Sequence, residues 1–170
     1  MAELMPKERL QPSLLDRLTD HDPSNRKESR QQRVLSITAL RAAVLRDLAW
    51  LLNSDKLVGE PLDDYPLVAH SVINYGMPDL AGHTASSADV GALERAIRQV
   101  ILDFEPRILR KTLKVRAAVS AAEMSHNAIT FEIEGELWAQ PLPERMYLKT
   151  QVDLENGDVS IAENARAGGG

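Results

Sequence analysis

The apolar residues of this chain change period at one proline. Before Pro106 they recur every three or four positions, and after Arg107 every second position. A period near 3.6 gathers side chains on one side of a helix, whereas a period of 2 gathers them on one face of a strand. Helices followed by strands, rather than alternating with them, read as an α+β fold. The expectation is N-terminal helices packed on a C-terminal antiparallel sheet of three to four strands.

In the helical part, Val34, Ile37, Leu40, Val44, Leu48 and Leu51 make one stripe. They predict a helix over Val34–Leu52 that stops at Asn53-Ser54. Leu45, Trp50 and Leu52 widen the stripe, so this helix should be covered on more than one side. A shorter helix is expected from Pro66, capped by Asp64, to Tyr75-Gly76, where glycine suits a left-handed end. A third runs from about Ala88 to Glu105, capped by Ser86 or Ser87, with Val90, Leu93, Ile97, Val100, Ile101 and Phe104 as its stripe. Pro106 stops it, because the residue before a proline is pushed out of the α region.

In the strand part, three runs alternate: Leu113 to Val119, Ile129 to Leu137, and Met146 to Leu154. One face is apolar and the other carries Glu132, Glu134, Glu136, Tyr147, Lys149 and Gln151, the pattern of a half-buried antiparallel sheet. Asn156-Gly157, the strongest short hairpin signal, should join the third run to a return strand, Val159 to Ile161. From Glu123 to Glu163 there are nine acids and two bases, while Arg107, Arg110, Lys111, Lys114 and Arg116 cluster before them. One sheet face is therefore expected to be acidic, with a basic end near Arg107. Such a run reads either as a solvated face or as a docking surface.

A length of 170 residues suits one domain. Between Thr19 and Arg33 no large apolar residue occurs, too little to offset the entropy of ordering. The expected layout is a flexible tether over residues 1–33 with a short helical anchor (Leu14, Leu15, Leu18), one domain over 34–163, and a loose tail over 164–170. The tether reads as a docking device or as a disordered end. Met1 to Leu10 carries Glu3, Lys7, Glu8 and Arg9, unlike a signal peptide. No stretch approaches the roughly 20 apolar residues of a membrane span.

Chemistry is constrained mainly by what is missing. The chain has no cysteine, which removes disulfides, thiol nucleophiles and Cys-ligated metals. A net charge of −5 argues against a nucleic-acid binder. His21, His70, His83 and His126 are too scattered for a metal motif, and no phosphate-binding glycine pattern is present. No metal or cofactor is expected. Among 25 acidic residues some carboxylate pair always looks eligible for glycoside hydrolysis, so that signal carries almost no specificity. More informative is Glu105-Pro106-Arg107, two charges at a rigid corner. They read as solvated charges at a helix stop, a surface held for a partner, or an intramolecular bridge.

These residues also carry a resemblance. Leu14-Leu15-Asp16-Arg17-Leu18 and the stretch Leu40-Arg41 through Arg46-Asp47-Leu48-Ala49-Trp50-Leu51-Leu52-Asn53 are similar to the N-terminal half of TssE proteins. Ser71-Val72-Ile73-Asn74-Tyr75-Gly76-Met77-Pro78-Asp79-Leu80 resembles that family's most recognisable loop, with Ile73 and Met77 where leucine is expected. Phe104-Glu105-Pro106-Arg107-Ile108 resembles its Glu-Pro-Arg corner, and Pro143-Glu144 with the strand after it resembles its C-terminal hairpin. The pieces lie in consistent order from Pro12 to Ile161.

TssE proteins are baseplate components of the bacterial type VI secretion system, grouped with phage baseplate wedge proteins historically labelled lysozyme-like. The resemblance implies a structural subunit and not an enzyme. It would sit at the cytoplasmic face of the inner membrane without inserting into it. Its implied partners are TssF and TssG, near TssK, and the contractile TssB–TssC sheath whose assembly it would start or anchor; no nucleic acid is implied. Glu105, Pro106 and Arg107 are the implied sheath or wedge contact, and Arg107→Ala is expected to leave the isolated fold intact while reducing sheath assembly. Leu14, Leu15, Leu18 and the Val34–Leu52 helix are the implied contact for TssF and TssG. A strand could be accepted at a free edge, either the third run (Tyr147, Lys149, Gln151) or the first. The rival readings are a peptidoglycan hydrolase and a regulatory anti-adaptor of the same fold family.

Overall fold

The computed structural model describes residues 13–19, 36–57, 62, 64–78, 89–118, 128–139 and 142–163. Helices α1 (Leu14–Leu18), α2 (Ile37–Leu52), α3 (Pro66–Ala69) and α4 (Val90–Phe104) precede strands β1 (Lys114–Ala117), β2 (Ala128–Leu137), β3 (Glu144–Asp153) and β4 (Val159–Glu163). The fold is α+β, as the change of period requires. The predicted tether and tail lie outside the described residues apart from residues 13–19.

Local chemistry sets the helix ends. Ser36 caps α2 by accepting a hydrogen bond from the Ala39 N–H at 3.1 Å, which places the first described turn at Ile37; Val34 lies outside the described residues. Asp89 caps α4, not Ser86 or Ser87, and its carboxylate accepts from the Ala92 N–H at 2.9 Å. The helix expected from Pro66 to Tyr75 is broken. α3 ends at Ala69 and a 3₁₀ turn covers Val72–Asn74. Ser71 is the cause: its hydroxyl donates to the Val68 carbonyl and accepts from the Ile73 N–H, offering the backbone a local alternative to the helix. Asp64 does not cap α3; Tyr65 holds the N-cap position without a side-chain bond.

The four strands form an antiparallel meander in the order β1-β2-β3-β4. One face is buried under α2 and α4. Leu40, Val44, Leu48 and Leu51 of α2 and Leu93, Ile97 and Ile101 of α4 meet Val115, Ile129, Phe131, Ile133, Met146, Leu148 and Val152 in one core. Each such side chain contributes about 1.5–3 kcal/mol relative to exposure. The β3–β4 hairpin forms where Asn156-Gly157 predicts it. It is not a two-residue turn, because among described residues only glycines have positive φ: Gly157 at 81° closes a longer loop in which its N–H donates to the Asp153 carbonyl at 2.9 Å.

Two expectations about the sheet need correction. The third run is no edge, because β3 pairs with β2 over ten positions and with β4 over five. Tyr147, Lys149 and Gln151 therefore look out from the wet face of an inner strand. The first run, β1, is an edge among the described residues. Nor is the wet face simply acidic. Glu132, Glu134 and Glu136 on β2 stand between Arg116 and Lys114 on β1 and Lys149 and Arg145 on β3. The charge run counted along the chain omitted cations that pairing brings across from β1.

Candidate functional site

Pro106 ends α4 and turns the chain toward the sheet. The Glu105 N–H still donates to the Ile101 carbonyl at 2.9 Å, while Arg107 already belongs to the extension of β2: the Trp138 N–H donates to its carbonyl at 2.7 Å. The corner is thus bonded to the helix on one side and to the sheet on the other.

Its two charges meet. Arg107 donates from Nε to Glu105 Oε1 at 2.7 Å and from Nη2 to Glu105 Oε2 at 2.5 Å, a forked pair. The Arg107 N–H adds a third bond to the same carboxylate at 3.1 Å. Glu105 is only 3% exposed. Of the readings open for this corner, the geometry realises the intramolecular bridge. Glu105 is bonded inward, and the face it could offer a partner is small.

The bridge continues. Arg107 Nη2 also donates to Asp47 Oδ2 at 2.6 Å. Asp47 Oδ1 accepts from Arg46 Nε at 2.9 Å and Nη2 at 2.7 Å. Arg46 Nη1 donates to Asp16 Oδ1 at 2.6 Å, and Asp16 Oδ2 accepts from the Ser13 hydroxyl at 2.6 Å. Five alternating charges, Asp16, Arg46, Asp47, Arg107 and Glu105, therefore join α1, α2 and the corner. Burial lowers the Arg107 pKa, but the bonded Glu105 carboxylate and then Asp47 more than offset it and hold the guanidinium above its ordinary value. The loop after α3 closes the site. Tyr75 packs edge-on against Phe104 with ring centroids 5.2 Å apart. Burial raises its hydroxyl pKa, with the Asp47 and Glu105 charges adding to the effect.

At the far end of the chain of charges, α1 turns its leucines outward. Leu14 is 70% exposed, Leu18 74% and Leu15 44%, and Trp50 on α2 is half exposed beneath the Arg46 guanidinium. A five-residue helix has too little helical stability of its own. Ser13 and Thr19 cap its two ends, and among the described residues the Asp16–Arg46 bond ties it to α2. The Arg46 bond lowers the Asp16 pKa; burial opposes this and the Ser13 hydroxyl adds to it. Because the folded value lies below the unfolded one, this tie is fully present above about pH 3.9 and fades as pH falls through the folded value. Acidification below about pH 3.9 should release α1 before the core melts. Hydrogen exchange over residues 14–18 would record it, and Asp16→Asn should leave α1 loose at every pH.

The arrangement offers little to hydrolysis. The Arg107 guanidinium fills the space between the Glu105 and Asp47 carboxylates, where a glycosidic oxygen or water would have to sit. Among the described residues no group of three or more His, Asp or Glu side chains is placed to hold a metal ion, and His70 instead meets Asp103 at 3.1 Å. Among them, too, no helix is long and apolar enough to cross a membrane.

Sequence reasoning singled out Glu105, Arg107 and the α1 leucines, and it missed Asp16, Arg46 and Asp47, which link α1 to the corner. The one available signal was the adjacent Arg46-Asp47 lying off the apolar stripe of α2.

An exposed leucine helix is thus tied by ion pairs to a rigid corner. The family model of the baseplate wedge protein gp25 matches residues 38–142, and the chain belongs to that family, which also includes the TssE proteins. It is thus a phage-tail-like baseplate component of a structural family. No curated protein and no solved structure gives a match.

Proposed function

We propose that this chain is the TssE-type subunit of a type VI secretion baseplate, on the cytoplasmic face of the inner membrane. It joins the wedge through TssF and TssG beside TssK and gives the TssB–TssC sheath its starting point. One observation carries this reading: the segments that resemble TssE in sequence converge in space. α1, α2, the Tyr75 loop and the Glu105–Arg107 corner are separated along the chain, yet bonds and packing bring them to one network. The exposed leucines of α1 supply an apolar contact for the wedge, and the β1 edge supplies backbone groups for a sheath strand.

Co-expression with the neighbouring baseplate subunits and affinity purification tests the reading. TssF and TssG should co-purify; recovery of a response regulator in their place would favour an anti-adaptor and overturn it. Replacing Leu14 and Leu18 together by serine should change stability by no more than about 0.5 kcal/mol per site, because both are exposed. The same replacement should cut recovery of the wedge proteins about ten-fold or more. Unchanged recovery would remove α1 from the contact.

A further inference from the structure

The two edges of the sheet are closed in different ways. In an antiparallel ladder alternate residues of an edge strand turn both backbone groups away from their neighbour. The Ala118 N–H donates to the Thr130 carbonyl at 2.8 Å, which fixes the parity of β1: Val115 and Ala117 face outward. The Asp153 N–H donates to the Asp158 carbonyl at 2.9 Å, so on β4 it is Val159, Ile161 and Glu163 that face outward.

On β4, helix α2 takes hold at both ends. The Asn53 side chain accepts from the Val159 N–H and donates to its carbonyl, both at 2.8 Å, as a neighbouring strand would. Arg41 pairs with Glu163 at the far end and with Glu144 at 2.6 Å. On β1 the closure among the described residues is one side chain. Glu94 of α4 accepts from the Ala117 N–H at 2.6 Å. Among the described residues the outward groups of Val115 make no hydrogen bond, and Glu94 makes no other side-chain bond.

We infer that Glu94 is a displaceable guard on the β1 edge and that the strand this edge would take is an acidic extended segment. This rests on the proposed baseplate reading, in which β1 takes a sheath strand, and adds the guard and the chemistry of the occupant. The charge follows from the flank. Lys114 and Arg116 are exposed on β1, and Arg110 and Lys111 are exposed just before it; Arg110 donates to the Leu102 carbonyl at 2.9 Å, and Lys114 makes a loose 3.8 Å pairing with Glu134. A strand added to β1 sends alternate side chains to each face. Those on the wet face come beside Lys114 and Arg116; the others come beside Val115 and Ala117 on the α4 side. A segment alternating acidic and small apolar residues satisfies both. It also replaces the single Glu94 bond by a backbone ladder, so the guard blocks casual pairing without blocking a matched partner.

The test uses the full chain and a short fluorescent peptide alternating glutamate and valine, with an alternating lysine and valine peptide as control, read by anisotropy. Wild type should bind the acidic peptide and not the basic one. Glu94→Ala should bind the acidic peptide about ten-fold tighter, the weight of one charge-assisted bond. Glu94→Gln, which keeps an oxygen on the Ala117 N–H, should stay nearer wild type. Lys114→Glu with Arg116→Glu should abolish binding, and Asn53→Ala should leave it unchanged. Equal binding of both peptides, no gain in Glu94→Ala, or identical behaviour of Glu94→Ala and Glu94→Gln would overturn the guard. Circular dichroism keeps misfolding out of the comparison. The titration needs no baseplate partner, so its failure is distinct from a failed co-purification, which would count against the baseplate reading instead.

Discussion

Arg107→Ala should lower the unfolding free energy by about 3–5 kcal/mol, the cost of leaving a buried carboxylate without its partner. Glu105 is 3% exposed and takes three bonds from Arg107, two from the guanidinium and one from the backbone N–H. The substitution removes the guanidinium bonds and frees one Asp47 oxygen at the same time. Domains of this size hold only about 5–15 kcal/mol in total. The loss would therefore show as a large fall in urea midpoint at unchanged slope. This differs from what the sequence suggests, that Arg107→Ala leaves the isolated fold intact. Loss of sheath assembly in that variant would not by itself report a contact. Arg107→Lys keeps the charge without the fork and should fall between, at about 1.5–3 kcal/mol. Glu105→Leu combined with Arg107→Met removes both charges and should recover much of the stability. If that double variant folds well yet fails to support sheath assembly, the corner acts on a partner directly. If it supports assembly, the ion pair is structural. A loss below about 0.5 kcal/mol in Arg107→Ala would contradict the buried bridge itself.

Gly76→Ala should be comparably severe. Gly76 sits at φ 121°, where side-chain-bearing residues are strained. An added Cβ would lie 2.2 Å from the Ser54 carbonyl oxygen and 2.9 Å from the Asp55 carbonyl carbon, both backbone atoms that cannot swing aside. That approach is needed because the Met77 N–H donates to the Ser54 carbonyl at 2.7 Å and the Lys56 N–H donates to the Met77 carbonyl at 2.9 Å. Relieving the clash breaks this bridge between the end of α2 and the loop. We expect a loss of about 3 kcal/mol or more, from strain and broken hydrogen bonds together. The loop carries Tyr75, so near-ultraviolet circular dichroism should change as its packing on Phe104 loosens. A Gly76→Ala protein with wild-type stability would mean that the loop is not held where the structure places it.

Much of the fold was legible because period is a local property. Val115, Ile129, Phe131, Ile133, Met146, Leu148 and Val152 alternate in the chain and are buried in the sheet; Leu40, Val44, Leu48 and Leu51 space as a helix and are buried in α2. Helix ends were less legible, because several hydroxyl or carboxylate residues compete for one cap. Asp89 and Ser36 won for reasons of φ and ψ that composition does not hold. The site was legible as pieces. Glu105 and Arg107 stand out beside a proline, but nothing along the chain says that Asp47, some sixty positions earlier, shares the same guanidinium.

By itself the sequence determined the order of helices and strands, the apolar face of each, the corner at Pro106 and, through its ordered motifs, the family. Those follow from side-chain spacing and backbone restriction, which act over a few residues. Only the tertiary structure decided which strand is an edge, how the wet face is charged, and whether the corner's charges look outward or at each other. Each of these depends on which distant segment lies within about 3 Å, and hydrogen bonds and ion pairs are made or lost on that scale. The chain of charges from Asp16 to Glu105 and the bond between Glu94 and the Ala117 N–H exist only because packing α2 and α4 on the sheet carries those side chains to their partners.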